Sequence, residues 1–272
     1  SMKSSDEDSE SKSLSVFLLG VNLAAIIGPI IGGYLILNNG FSLVLGLWLL
    51  TSMISIGLFL SYIGISSKAD KVLMFEKLFK SKTYSNDFKH LKEHWRKVVP
   101  AYGMIFLYSI IFSFFWLAVP LALEEAGATY VEMGFIFGLA ALPKAFQIFF
   151  GDLADKVGRY RMLVVLSAAL TPVLFVMYFL EGPYMLGAFF FVAALLTNGI
   201  PPIIHTIFDQ RAPDDVESEL VGFMETSKHV GQLVGPTMAG TVASVFSLSA
   251  SFASAGIISL IMLAYSFKLQ RL

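Results

Sequence analysis

The sequence predicts an all-α polytopic membrane protein with eight transmembrane helices, and three observations predict it. The chain of 272 residues is 56% hydrophobic and 14% charged, with a mean hydropathy of +0.72, too apolar for a soluble domain of that length. Its apolar residues fall into runs long enough to cross the hydrocarbon core as helices. Lysine and arginine gather in alternate connections, the pattern of basic loops retained in the cytoplasm. Cysteine is absent, which removes disulfides and thiolate metal sites. A net charge of −1 carries no nucleic-acid footprint, and neither a cofactor nor a metal site is expected.

The start, residues 1–13, reads SMKSSDEDSESKS. It is acidic and serine-rich, without the basic stretch of a signal peptide, and is expected to be a disordered leader. Spans are then expected at 14–37 and 41–64, with Asn38, Asn39 and Gly40 as the turn between them. The interruption at 65–98 carries most of the lysines and reads as a cytoplasmic loop with a basic amphipathic helix, Leu91 and Trp95 toward lipid. Spans follow at 99–122 and 130–150, parted by Glu124 to Thr129, and at 162–181 and 184–206, parted by Glu181, Gly182 and Pro183. The last two are expected at 219–245 and 247–268. Lys156, Arg159, Arg161, Arg211, Lys268 and Arg271 fall on the same side as the long basic interruption. Both termini are therefore expected in the cytoplasm, in a multi-pass protein of the plasma membrane.

Between the fourth and fifth spans lies GDLADKVGRYR, Gly151 to Arg161. The spacing of Gly151, Leu153, Ala154, Asp155, Lys156, Gly158 and Arg159 resembles the loop signature of the major facilitator superfamily of transporters. A second pattern is an internal repeat: GVNLAAIIGPIIGG in the first span aligns with HVGQLVGPTMAG in the seventh when Gly28 and Pro29 are laid on Gly235 and Pro236. Ala24, Gly28 and Gly32 then fall opposite Gly231, Gly235 and Ala239, with Gly20 in phase and Gly33 alongside. Small residues four apart let a neighbouring backbone approach closely, and such ladders also occur in generic helix packing. The Gly-Pro element resembles the signature of the fifth helix in proton-coupled drug exporters of that superfamily.

The resemblance implies a partial major-facilitator fold. Residues 14–64 would be the last two helices of the N-terminal half, 65–98 the central loop and 99–272 the complete C-terminal half, a truncated transporter that needs the missing N-terminal helices. It also implies a cytoplasmic gate built from Gly151, Asp152, Asp155, Lys156, Gly158, Arg159 and Arg161. Asp155 would meet the start of the first span, around Lys12 to Ser15.

Ionisable groups inside a membrane cost about 2.5–3.5 kcal/mol at mid-helix, so they turn inward and mark candidate cavity residues. In the seventh span Glu225, Lys228, His229 and Gln232 form one stripe, in reach of a substrate, a proton or a gate; the headgroup region would suit them equally. Lys144 and Gln147 share a face in the fourth span, and Asn198 and His205 in the sixth. In the third, Ser113 and Trp116 line up, Trp116 serving equally as an interface anchor. The fifth and eighth spans offer only serine, threonine and tyrosine between their charged ends and read as lipid-facing. His90 to His94, HLKEH, has the spacing of a zinc-peptidase helix, but a basic amphipathic surface helix explains it more simply.

The chain is thus expected not to be an enzyme. The functional expectation is a secondary transporter exporting small amphiphilic or drug-like solutes in exchange for protons, its partners being the bilayer, the solute and protons. Two other readings stay open: an uptake carrier for a polar metabolite or organic anion using Lys144, and a non-transporting membrane scaffold or sensor.

Overall fold

The computed structural model describes residues 2–65, 82–213 and 215–270, with the side chains of 2–18, 62–65, 82–88 and 148 left outside the description. The expected gate partner, Lys12 to Ser15, therefore lies outside the described side chains. Every regular element among the described residues is helical: α1 (Met2–Ile65), α2 (Lys82–Glu125), α3 (Tyr130–Ala141), a 3₁₀ turn (Leu142–Phe146), α4 (Gln147–Val157), α5 (Arg159–Met177), α6 (Pro183–Asn198), α7 (Ile200–Asp209), α8 (Glu217–Val245) and α9 (Leu248–Gln270).

The expected eight transmembrane helices are corrected, among the described residues, to five helices long and apolar enough to cross a membrane, or six if one bent pair is a single span. Three physical reasons account for the difference. The first two expected spans run together as one apolar stretch, Leu19–Ser61, in which two helical segments meet at a kink at Gly40 (φ 73°, ψ 175°). The fourth is broken: Pro143 opens the 3₁₀ turn, and Tyr130–Phe146 meets Phe149–Val157 at 49°. Proline has no N–H for the ladder, and its ring crowds the preceding turn. The seventh, α8, is long enough but not apolar enough, since Glu217, Glu219, Glu225 and Lys228 sit in its N-terminal half. The remaining spans are Lys89–Glu125, Arg159–Met177, Pro183–Asp209 and Leu248–Gln270.

α2 is the centre of the molecule. It packs along α8 over most of its length and also meets α9, α7 and α6. Phe114, Ile111, Met104 and Ile105 are fully enclosed there. Tyr102 donates to Leu220 O at 2.8 Å, tying α2 to α8. α5 and α9, read from sequence as lipid-facing, instead pair through their small polar residues. Thr171 and Ser259 lie 2.9 Å apart and Ser167 and Ser266 3.5 Å apart, all buried. Such contacts join helices in lipid, where apolar side chains gain nothing by leaving the solvent. α1 stands apart, touching chiefly α3 and the 3₁₀ turn. None of its most apolar stretch is buried, against 61% for that of α2.

Candidate functional site

Where α1, α2, α3 and α6 converge they line a half-open cavity of about 160 Å³, room for a group of roughly benzene size. Its wall is aromatic because of helical spacing. Phe112, Phe115 and Trp116 stand three and four residues apart on α2, one face of a 3.6-residue helix. Trp116 stacks on Phe137 of α3 with centroids 5.9 Å apart. Phe137 meets Phe190 of α6 edge-on at 5.3 Å, and Phe190 returns to Phe115 at 5.5 Å. Space remains because Ala25, Ala140, Ala141 and Ala194 complete the lining.

The polar lining is sparse: Lys144, Thr197 and Asn198. Thr197 donates to Ala193 O at 2.8 Å and Asn198 Nδ2 to Ala194 O at 2.7 Å, so both spend a donor on their own helix. Gln147 approaches Asn198 Oδ1 at 3.5 Å, at the outer limit of a hydrogen bond. The Lys144 side chain, partly exposed on the 3₁₀ turn, has no hydrogen bond or ion pair among the described residues. On the opposite wall, Pro29 deprives the Ala25 carbonyl of its donor four residues on.

Glycine makes the α1–α3 wall possible. A Cβ on Gly134 would collide with Pro29 O, one on Gly33 with Tyr130 O, and one on Gly138 would lie 2.7 Å from Ile26 O. α3 is anchored at its start by a capping box. Thr129 N donates to Glu132 Oε2 at 2.8 Å and Glu132 N to Thr129 Oγ1 at 3.3 Å. Glu132 also accepts from the Tyr184 hydroxyl at the head of α6.

Of the residues singled out from sequence, the structure brings Trp116, Lys144 and Asn198 to this cavity, with Gln147 beside it. Ser113 turns instead toward α8, donating to Ser109 O at 2.7 Å. His205 lies on α7, outside the cavity lining. The α8 stripe forms a local cluster: Lys228 Nζ lies 2.7 Å from Glu225 Oε2, His229 Nε2 3.9 Å from the same oxygen, and His229 Nδ1 2.9 Å from Gln232 Oε1. None of the four lines the cavity. Phe112, Phe115, Phe137 and Phe190 were not singled out, although the 3–4 spacing of the first two with Trp116 was there to be read.

The loop signature forms a charged turn. Gly158 (φ 102°) breaks the chain between α4 and α5, an angle open chiefly to glycine. Across it Arg159 grips Asp155 Oδ1 through Nε at 2.9 Å and Nη2 at 2.8 Å. Arg159 Nη1 is buried without a partner among the described residues. Asp152, Lys156 and Arg161 are exposed, while Gly151 lies within α4 with open space around its Cα.

On the helix-packing motifs, a Cβ on Gly231 would lie 2.6 Å from Phe106 O and one on Gly235 would collide with Ile110 O, α8 lying against α2. Gly20, Gly28 and Gly32 have nothing near the corresponding point. Within HLKEH, His90 Nδ1 lies 3.3 Å from Glu219 Oε2 on α8, and Glu93 pairs loosely with Lys89 at 3.9 Å. The motif is thereby spent on helix contacts rather than gathered around one point.

Residues 101–271 match the family model described as Major Facilitator Superfamily. Over 258 residues the chain is 25% identical to a protein described as uncharacterized MFS-type transporter YuxJ of Bacillus subtilis (strain 168), covering 90% of this chain and 62% of that one. It is 25% identical over 130 residues to multidrug resistance protein MdtG of Yersinia enterocolitica, 48% of this chain and 31% of that protein. It is 22% identical over 120 residues to a multi-drug resistance efflux pump PmrA homolog of Lactococcus lactis, 44% and 30% respectively. The chain thus spans between about a third and three fifths of the length of these relatives.

Proposed function

The chain belongs to the Major Facilitator Superfamily, a family of membrane transporters rather than enzymes, and from that premise we propose that it exports small amphiphilic solutes in exchange for protons. The observation that carries the proposal is the cavity itself, apolar and aromatic with a few polar groups, at the meeting of α1 with α2, α3 and α6. That composition suits solutes with an apolar body and one polar end. Export is drawn from relatives named for drug resistance and efflux. Transport would proceed by alternating access around this site, with the Asp155–Arg159 turn as a cytoplasmic latch and both termini in the cytoplasm.

Exchange requires solute and proton to compete, so each lowers the affinity for the other. The proton would be taken outside the lining, which carries no carboxylate among the described residues, and in the full chain in lipid nanodiscs affinity for an uncharged amphiphile should rise between pH 6 and pH 8. Saturable binding with no pH dependence would overturn proton exchange. Uptake proportional to lipid area, without saturation, would overturn the solute site.

A further inference from the structure

We propose that the cavity selects anionic, single-ring amphiphiles, aromatic carboxylates or sulfonates, with Lys144 as their counter-ion. The inference deepens the proposed solute site and rests on it. Four observations carry it, beginning with charge: among the described residues Lys144 is the one charged residue in the lining, which holds no aspartate or glutamate there. Second, no carboxylate or other partner among the described residues neutralises it. An ammonium held at an apolar wall gains most from an anion that arrives with the ligand.

Third, the backbone sets where that side chain starts. Lys144 occupies the middle of the 3₁₀ turn behind buried Pro143, and its carbonyl accepts from Gln147 N. The side chain therefore leaves the backbone at the bend between α3 and α4. Fourth, size: about 160 Å³ lined by Trp116, Phe137, Phe190 and Phe115 has room for one ring.

The wall and the lysine pull in opposite directions, which makes the inference testable. Aromatic faces attract cations, so the wall alone would favour a lipophilic ammonium. Lys144 repels that ammonium from the same space and attracts a carboxylate, and a full charge outweighs ring quadrupoles. Sign selectivity should therefore belong to Lys144 and vanish with it.

The test uses the full chain with Trp48→Phe and Trp95→Phe, leaving Trp116 as the only tryptophan among the three in the sequence. Nitroaromatic rings quench its fluorescence, so 4-nitrobenzoate, 4-nitrobenzyl alcohol and 4-nitrobenzylammonium compare three charges on one body. The benzoate should bind at least about tenfold more tightly than the ammonium, since the two ligands differ by two charges beside Lys144. Lys144→Met, which keeps length and volume, should abolish or reverse the order, and Lys144→Arg should preserve it. Should the Met variant fail to fold by circular dichroism, the parent's ranking and the Arg variant still decide. Ammonium binding as tight as benzoate in the parent would overturn the inference and leave the solute site standing. Absence of saturable quenching by all three would overturn the site reading and the inference together.

Discussion

On α8, Gly231 and Gly235 lie against the backbone of α2, and Ala239 is 1% exposed. On α1 the aligned Gly28 and Gly32 face open space, and the residues that touch are one position on, Pro29 and Gly33. The two Gly-Pro ladders share a sequence and differ in surroundings. A run of small residues permits close approach, but a neighbouring backbone must be there to accept it. α2 supplies that backbone to α8 through Phe106 O and Ile110 O. Against α1, the closeness comes as much from α3, whose own Gly134 and Gly138 admit Pro29 O and Ile26 O. The consequence reaches the site, because the same turn of α1 presents Ala25 and Pro29 to the cavity.

Substitutions can break this contrast. Gly235→Ala should have the largest effect, since its methyl meets Ile110 O and Ser113 Oγ. Overpacking of that kind costs about 1–3 kcal/mol, read as a lower Tm in detergent; an unchanged Tm would mean that α8 is not seated on α2 in this way. Gly134→Ala should cost less stability, because α1 is held by fewer neighbours, yet weaken solute binding by moving Pro29 off the cavity wall. Equal loss of binding in Gly235→Ala and Gly134→Ala would erase the distinction between a structural ladder and a site-building one. Gly28→Ala and Gly32→Ala should be neutral or stabilising by up to about 1 kcal/mol, since alanine is the better helix former and nothing is displaced.

Asp155→Asn should have the smallest effect on stability, because Asp155 is 60% exposed and such pairs are worth about 0–1 kcal/mol. Its effect is expected on access. The chain has no cysteine, so a single cysteine at exposed Leu153 reports labelling alone. Faster labelling in Asp155→Asn would fit a loosened latch, and an unchanged rate would remove Asp155 from it.

Some of this was legible in the sequence and some was not, for physical reasons. Charge is costly in a membrane, so Lys144 stands out as a candidate from its position alone and Asn198 from its polar stripe, and both line the cavity wall. Gly40 and Gly158 mark backbone breaks that only glycine makes comfortably, and the turn residues beside them gave the breaks away. The span count failed where local chemistry outweighs hydrophobic length: the Pro143 turn splits one helix and the charged first half of α8 disqualifies another. The aromatic wall was hidden for a different reason. Lipid and protein interior are both apolar, so a phenylalanine facing the cavity and one facing lipid look alike in a periodicity. Phe115, 4% exposed, and Phe149, 67% exposed, cannot be told apart without their neighbours.

The central claim is that solute binds between α1 and the belt of α2, α3 and α6. Photolabelling the full chain in nanodiscs with a diazirine-bearing aromatic carboxylate, followed by peptide mapping, tests it most directly. The account predicts saturable labelling of the segments around Phe112 to Trp116, Phe137 to Lys144 and Phe190 to Asn198, competed by unlabelled ligand. Labelling spread evenly over exposed apolar positions such as Phe149, Leu233 and Phe246, insensitive to competitor, would contradict it.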